Sequence, residues 1–332
     1  MREYDRGTVR RGNLRLPGLR LHLPESDSAI KWLLDGDPAI RWQTLRDLVR
    51  AGDRVVKREQ QKVAEEGWGT RLLKHQEPSG KWGGGIYSPK WISTTYTVVL
   101  LHSLGLPPKH PQALKGCTLL LDKGHCRDGG FNCWSSYKHS EPCVTGMVLA
   151  AAAYFRLPDE RTHDFAEYLL EQQLKDGGWN CRTYWGATHS SMHTTILALE
   201  GLLEYERFHP RDAKRVREAQ ARGREFLLTH RLFRSHRTGE IIAPEWTRFS
   251  FPPRWHFDVL RGLDYFRASN SPRDERLSDA IEIVRQRRRD DGRWILQNRY
   301  PGKTFFEMEK LGEPSRWNTL RALRVLKWWE QK

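Results

Sequence analysis

DGGFNCW (128–134) and DGGWNCR (176–182) stand 48 positions apart and share five of seven residues. Two looser versions, SGKWGGG (79–85) and DGRWILQ (291–297), flank them. Self-similarity at a fixed period of this size marks an architecture built from stacked units. Each punctuation closes a polar, amphipathic segment such as FAEYLLEQQLKDGGW (165–179) and precedes a loop and a more apolar segment. Glycine after a helix allows the sharp left-handed exit that other residues resist. The aromatic beside it is expected to plug the gap between neighbouring units.

The apolar segments form a set of six: 38–50, 91–105, 142–155, 193–205, 254–266 and 316–329. The first, fifth and sixth share an Arg-Trp opening and a Leu-Arg-x-Leu body, as in RWNTLRALRVLKWW (316–329). Several are apolar all round, which predicts buried helices. The alternating segments, from SDSAIKWLLDG (26–36) to DERLSDAIEIVRQRRRD (274–290), are charged on one face and predict an outer layer. The expected fold is therefore all-α: an (α/α)6 toroid of six outer–inner helix pairs around a central cavity. It is a single domain over 26–332, preceded by an extension over 1–25. The fifth unit departs from the rule, because HRLFRSHRTGEIIAPEW (230–246) lacks the Gly-Gly-aromatic signal and predicts a longer rim loop. A ring of this kind places the N-terminal lips of all inner helices on one side. Residues about fifty positions apart become neighbours there.

Bulk composition excludes several classes. The formal charge is +15, with 29% charged and 38% hydrophobic residues. No apolar run approaches the roughly eighteen residues of a membrane span. The opening MREYDRGTVRRGNLRLPG lacks the apolar core of a secretory signal, so a cytoplasmic protein is expected. Five cysteines in a long chain suit free thiols or metal ligands rather than a disulfide framework. The basic run VRQRRRDDGR (284–293) carries no interleaved aromatics, so nucleic acid is not an expected partner.

Gly-Gly-aromatic punctuation on alternating helices resembles the prenyltransferase and squalene-oxidase repeat superfamily, over residues 30 to 330. That superfamily includes protein prenyltransferase β subunits and squalene (terpenoid) cyclases. Class II cyclases protonate an alkene or epoxide from a D-x-D-D run. The close Asp pairs here, DGD (35–37) and RDDGR (289–293), do not form one. Asp258, in RWHFDVL, is the alternative acid. Protein prenyltransferases bind zinc through Asp-x-Cys and a His about fifty residues on. GGFNCWSSYKHSEPC (129–143) followed by MHTT (192–195) is similar to that pattern, with Glu141, Cys143 and His193 at the ligand positions. The resemblance implies a zinc enzyme of the transferase class. It would transfer an alkyl or prenyl group to a zinc-bound thiolate, from a thiol or peptide acceptor, with one coordination position open. Departures are Glu141 for Asp, Val144 for the family's Tyr, and Ser135 where its loop carries Arg. Lys138 stands where the family's Lys meets a diphosphate.

Other lip residues complete the candidate set. His256 joins His193, Cys143 and Asp258 as a candidate catalytic group, while Tyr96, Trp255 and Trp317 join Lys138 as candidates for holding the ligand. Lip aromatics suit an isoprenoid or other apolar chain and a developing carbocation. The alternatives are a cyclase-like isoprenoid enzyme with an unrecognised acid, and a non-catalytic toroid binding a lipid or peptide. Considered singly, each group has a plainer reading: Cys143 as a small core residue, His193 as part of a helix cap, a Trp as a filler between helices.

Overall fold

A computed structural model describes residues 28–134, 139–208 and 213–331. The chain is mostly helical: α1 (Ser28–Leu34), α2 (Pro38–Thr44), α3 (Asp53–Gln61), α4 (Gly67–Leu73), α5 (Thr94–Leu104), α6 (Pro111–Gly124) and α7 (Pro142–Tyr154) come first. They are followed by α8 (Arg161–Glu171), α9 (Met192–Phe208), α10 (Ala213–Thr229), α11 (Val259–Ala268), α12 (Ser278–Gln286) and α13 (Arg316–Glu330). Among the described residues, regular strand is confined to Trp294–Ile295 paired antiparallel with Pro314–Ser315. The expected extension over 1–25 and Lys138 lie outside the described residues.

The punctuation works as a repeated joint. Trp82, Phe131, Trp179 and Trp294 are all fully buried. Each donates its backbone N–H to a threonine hydroxyl on the following apolar helix: Thr94 (3.1 Å), Thr145 (2.9 Å), Thr195 (3.0 Å) and Thr319 (3.0 Å). The three indoles also donate backwards to a carbonyl of the preceding outer helix, at Leu72 (2.8 Å), Leu169 (2.6 Å) and Val284 (2.7 Å). One aromatic thus ties an outer helix to the next inner one and leaves no buried N–H unpaired. Gly177 adopts φ +95°, and a Cβ there would meet the Arg222 carbonyl at 2.5 Å. The exit therefore requires glycine twice over, for conformation and for space.

The apolar helices pack in chain order. α5 packs on α7, α7 on α9, α9 on α11, α11 on α13, and α13 on α2. The remaining step, from α2 to α5, is made by Trp42 Nε1 donating to Leu104 O at 2.9 Å and Gln43 Nε2 donating to Ser103 O at 3.2 Å.

Three boundaries differ from expectation. The charged stretch VKREQQKVAEEGWGTRLLKHQ (56–76), one outer helix by its pattern, is divided between α3 and α4, with Gly67 at φ +68° opening α4. The first inner helix ends in a π-type turn over Leu45–Val49. The fifth begins at Val259, five residues late, because Asp258 caps it by accepting the Arg261 N–H at 2.7 Å. RWHF, helical in the sequence reading, is rim instead, a turn at Arg254 and Trp255 closed by the His256 N–H donating to the Pro253 carbonyl at 3.0 Å.

Candidate functional site

Glu141 and Cys143 open α7, with Cys143 Sγ 4.0 Å from Glu141 Oε2. The thiol of Cys181, from the next unit's punctuation, lies beside Cys143, and Cys181 Sγ is 3.4 Å from the Thr194 hydroxyl. That neighbouring thiol, burial and the Glu141 charge together push the Cys143 thiol well up, which favours its protonated form.

His193 belongs to a different group. Its Nδ1 accepts the Phe257 backbone N–H at 2.8 Å, and its ring meets Trp246, Trp255 and His256 at 5.6, 5.3 and 5.7 Å. Burial and the Arg261 charge lower its pKa to about 4, so it is neutral at pH 7. Among the described residues no group of three or more His, Cys, Asp and Glu side chains is disposed to hold a metal ion. Of the three expected ligands, Cys143 has Glu141 and a second thiol beside it, while the His193 ring packs on the aromatic rim.

The aromatic candidates do converge. Trp91 packs edge-on to Tyr96 at 4.7 Å and reaches His256 at 6.3 Å. His256 is stacked between Trp255 (3.7 Å) and Tyr300 (3.5 Å). Burial, His193 and Arg261 lower the His256 pKa to about 3. Trp317 stacks on Phe251 at 4.0 Å. Asp258 is fully buried and accepts from the Ser250 hydroxyl at 2.9 Å as well as from Arg261 N–H, with Arg321 at 3.6 Å. It acts as a cap and does not line the cavity described next.

That cavity, of about 520 Å³, lies among the apolar helices and is lined from α2, α5, α7, α9, α11 and α13. Its wall includes Tyr96, Met147, Phe251 and Trp317. The expectation of an aromatic-lined chamber needs correcting, because charge lines much of the remainder. Arg261 forms a two-pronged pair with Glu200 at 2.8 and 2.6 Å. Arg324 binds Asp264, reaches Asp47 at 3.3 Å and donates to Gln43 at 2.9 Å. Arg207 meets Glu204 at 2.5 Å. The physical reason is that buried arginine is tolerated when a carboxylate accepts its fork. The signal was present in the shared Leu-Arg-x-Leu body: Arg46, Arg261 and Arg321 are its arginines, and all three line the cavity.

A side cavity of about 50 Å³ adjoins it, sharing Leu100, Phe251, Pro252 and Arg254. Glu309 lines the side cavity and accepts from the Ser315 hydroxyl (2.5 Å) and the Arg316 and Trp317 N–H groups (2.7 and 3.2 Å). Those donors favour the carboxylate, but burial outweighs them and raises the Glu309 pKa. Sequence reading passed over Glu309, which sits in a loop without periodicity.

No protein-family model matches the chain, and no curated protein does. Solved structures to which the chain is similar include a protein from Actinoplanes, at 18% identity and TM-score 0.44, covering 88% of this chain and 90% of that one. Another is the type II terpene cyclase MstE from Scytonema, at 16% identity and TM-score 0.46, covering 87% and 86%. A third is the polysaccharide lyase BACCELL_00875, at 12% identity and TM-score 0.45, covering 89% and 91%. Among the described residues no helix is long and apolar enough to cross a membrane.

Proposed function

We propose that the chain closes as an (α/α)6 toroid and holds an isoprenoid-like chain in its central cavity for cyclase-type chemistry. The observation that carries this reading is the cavity itself, bounded by all six apolar helices and walled on one side by Tyr96, Phe251 and Trp317. Its volume falls within the range of small-molecule sites, about 300–1,000 Å³. Aromatic faces favour a cation formed against them. The order of helix contacts, with α13 meeting α2, supports the closed ring.

Cyclisation of this type starts when a neutral carboxylic acid gives its proton to an alkene carbon. Asp47, Glu200, Glu204 and Asp264 are each paired with arginine and unsuited to that step. Glu309 is the carboxyl on either cavity that burial holds toward its neutral form, and it is the acid in this reading. The test is tryptophan-fluorescence titration with geranylgeraniol, followed by product analysis after incubation. Wild type is expected to bind it and release a cyclic isomer. Glu309→Gln should keep the binding and lose product formation by about 100-fold or more, as for removal of a general acid. A wild-type protein that binds no prenyl alcohol would end the reading.

A further inference from the structure

One cation on the cavity wall stands apart from the others. Arg46, Arg207, Arg261, Arg267, Arg321 and Arg324 each face a carboxylate. Arg254 lines both the central and the side cavity, yet among the described residues no carboxylate pairs with it. Its guanidinium lies 5.4 Å from the centre of the Trp91 ring, and its backbone is held at φ +58° in the rim turn before Asp258. Burial without an anionic partner lowers its pKa to about 10, still charged at pH 7.

Tyr96 is 2% exposed and Trp317 1%, and the Tyr96 hydroxyl and Trp317 Nε1 are sealed in packing, the hydroxyl beside that of Tyr87. Among the described residues the donor left to the cavity without a counter-charge is therefore the Arg254 guanidinium. Its natural complement is a group that only accepts.

We infer that Arg254, on the wall shared by the two cavities, forms a subsite for the carboxylate of a monoanionic ligand. One unpaired guanidinium fork matches one carboxylate in charge and geometry. A prenyl diphosphate, with about two to three negative charges, would bring one or two more than this single unpaired cation can balance. The inference deepens the cavity reading above, on which it rests for the ligand's apolar part: the substrate class becomes an apolar chain carrying an acid head group.

The test separates the two. Isothermal calorimetry with benzoate probes the head-group subsite alone, and geranylgeraniol probes the apolar cavity alone. Wild type should bind benzoate at one site and benzyl alcohol at least ten-fold more weakly, as expected for a charge-assisted hydrogen bond. Arg254→Asn removes the charge with a residue that tolerates positive φ. It should cut benzoate affinity about ten-fold or more and leave geranylgeraniol unchanged. Arg254→Lys, which keeps the charge but loses the fork, should weaken benzoate about three-fold and gives a second reading should the Asn variant fail to fold. Equal benzoate affinity in wild type and Arg254→Asn, or no preference for benzoate over benzyl alcohol, overturns the subsite even if geranylgeraniol binds. Benzoate binding that depends on Arg254, without geranylgeraniol binding, upholds the subsite and rejects the isoprenoid reading.

Discussion

Asp264→Asn is expected to destabilise the protein by about 3–5 kcal/mol, the cost of breaking a buried ion pair from one side. Asp264 lies on α11, facing the cavity, with its carboxylate shared among Arg324, Arg267 (2.8 Å) and Arg321 (3.8 Å). Its side chain is 14% exposed and that of Arg324 10%, so solvent screens the pair weakly. An amide keeps the shape but cannot balance the charge, and the guanidinium groups then repel one another across α11 and α13. The pair spans the fifth and sixth units, while Arg324 also reaches Asp47 in the first, where the end of the chain meets its beginning. Damage there should be global. Thermal melts should show a drop on the order of 10 °C.

The same site sets an acid dependence. Asp264 titrates well below the usual carboxylate range because Arg324 and Arg267 hold it charged against burial. A depressed carboxylate contributes stability that is fully present above its unfolded pKa of about 4 and is lost as pH falls below it. Wild type should therefore lose stability steeply below pH 4, and the Asn variant should show a flatter limb there. An Asn variant that melts within about 2 °C of wild type at pH 7 would show that Arg324 does not depend on Asp264.

Much of this architecture was legible in residue order. Trp179 marks a unit because one buried indole must satisfy two N–H groups, and the Leu169 carbonyl ten residues before it and Thr195 sixteen after it do so. That demand forces a recurring spacing, and spacing is what a sequence displays. The helix α7 was legible from its all-round apolarity. The cavity was less so. Arginine in an apolar helix reads as a surface residue until its carboxylate is known, and Glu200, the partner of Arg261, stands 61 positions away on another helix. For the metal set, orientation matters as much as spacing. One-unit spacing places Cys143 and His193 at adjacent helix starts, but spacing says nothing of which way a ring turns. The long fifth rim places the Phe257 N–H against His193 Nδ1 and packs Trp246 and Trp255 on its ring. A loop without periodicity also hid Glu309, whereas the pattern puts Arg254 at the opening of an inner helix that begins only at Val259.

Replacement of Gly146 by valine should be as damaging as loss of Asp264, by a purely steric route. Gly146 on α7 and Gly201 on α9 let these helices approach backbone to backbone. A Cβ on Gly146 would lie 2.4 Å from the Leu197 carbonyl oxygen and 2.9 Å from Ala198 Cα. These are backbone atoms that cannot swing aside, so the helices must separate. Two effects oppose. Leaving glycine in mid-helix gains up to about 1 kcal/mol of helix propensity, and overpacking costs about 1–3 kcal/mol or more. For alanine the balance should be a net loss of one or two kcal/mol, of that same order. For valine, whose branched side chain doubles the intrusion and whose own propensity is poorer, the clash should dominate at about 3 kcal/mol or beyond. The separation also reaches function, because Met147 and Ala150 on α7 and Leu197 on α9 line the cavity. Urea unfolding of Gly146→Ala and Gly146→Val should show losses in that order, with geranylgeraniol binding weakened in the folded fraction of both. A valine variant as stable as wild type would mean that α7 and α9 are not in backbone contact at this point, and the tightest joint between the third and fourth units would have to be sought elsewhere.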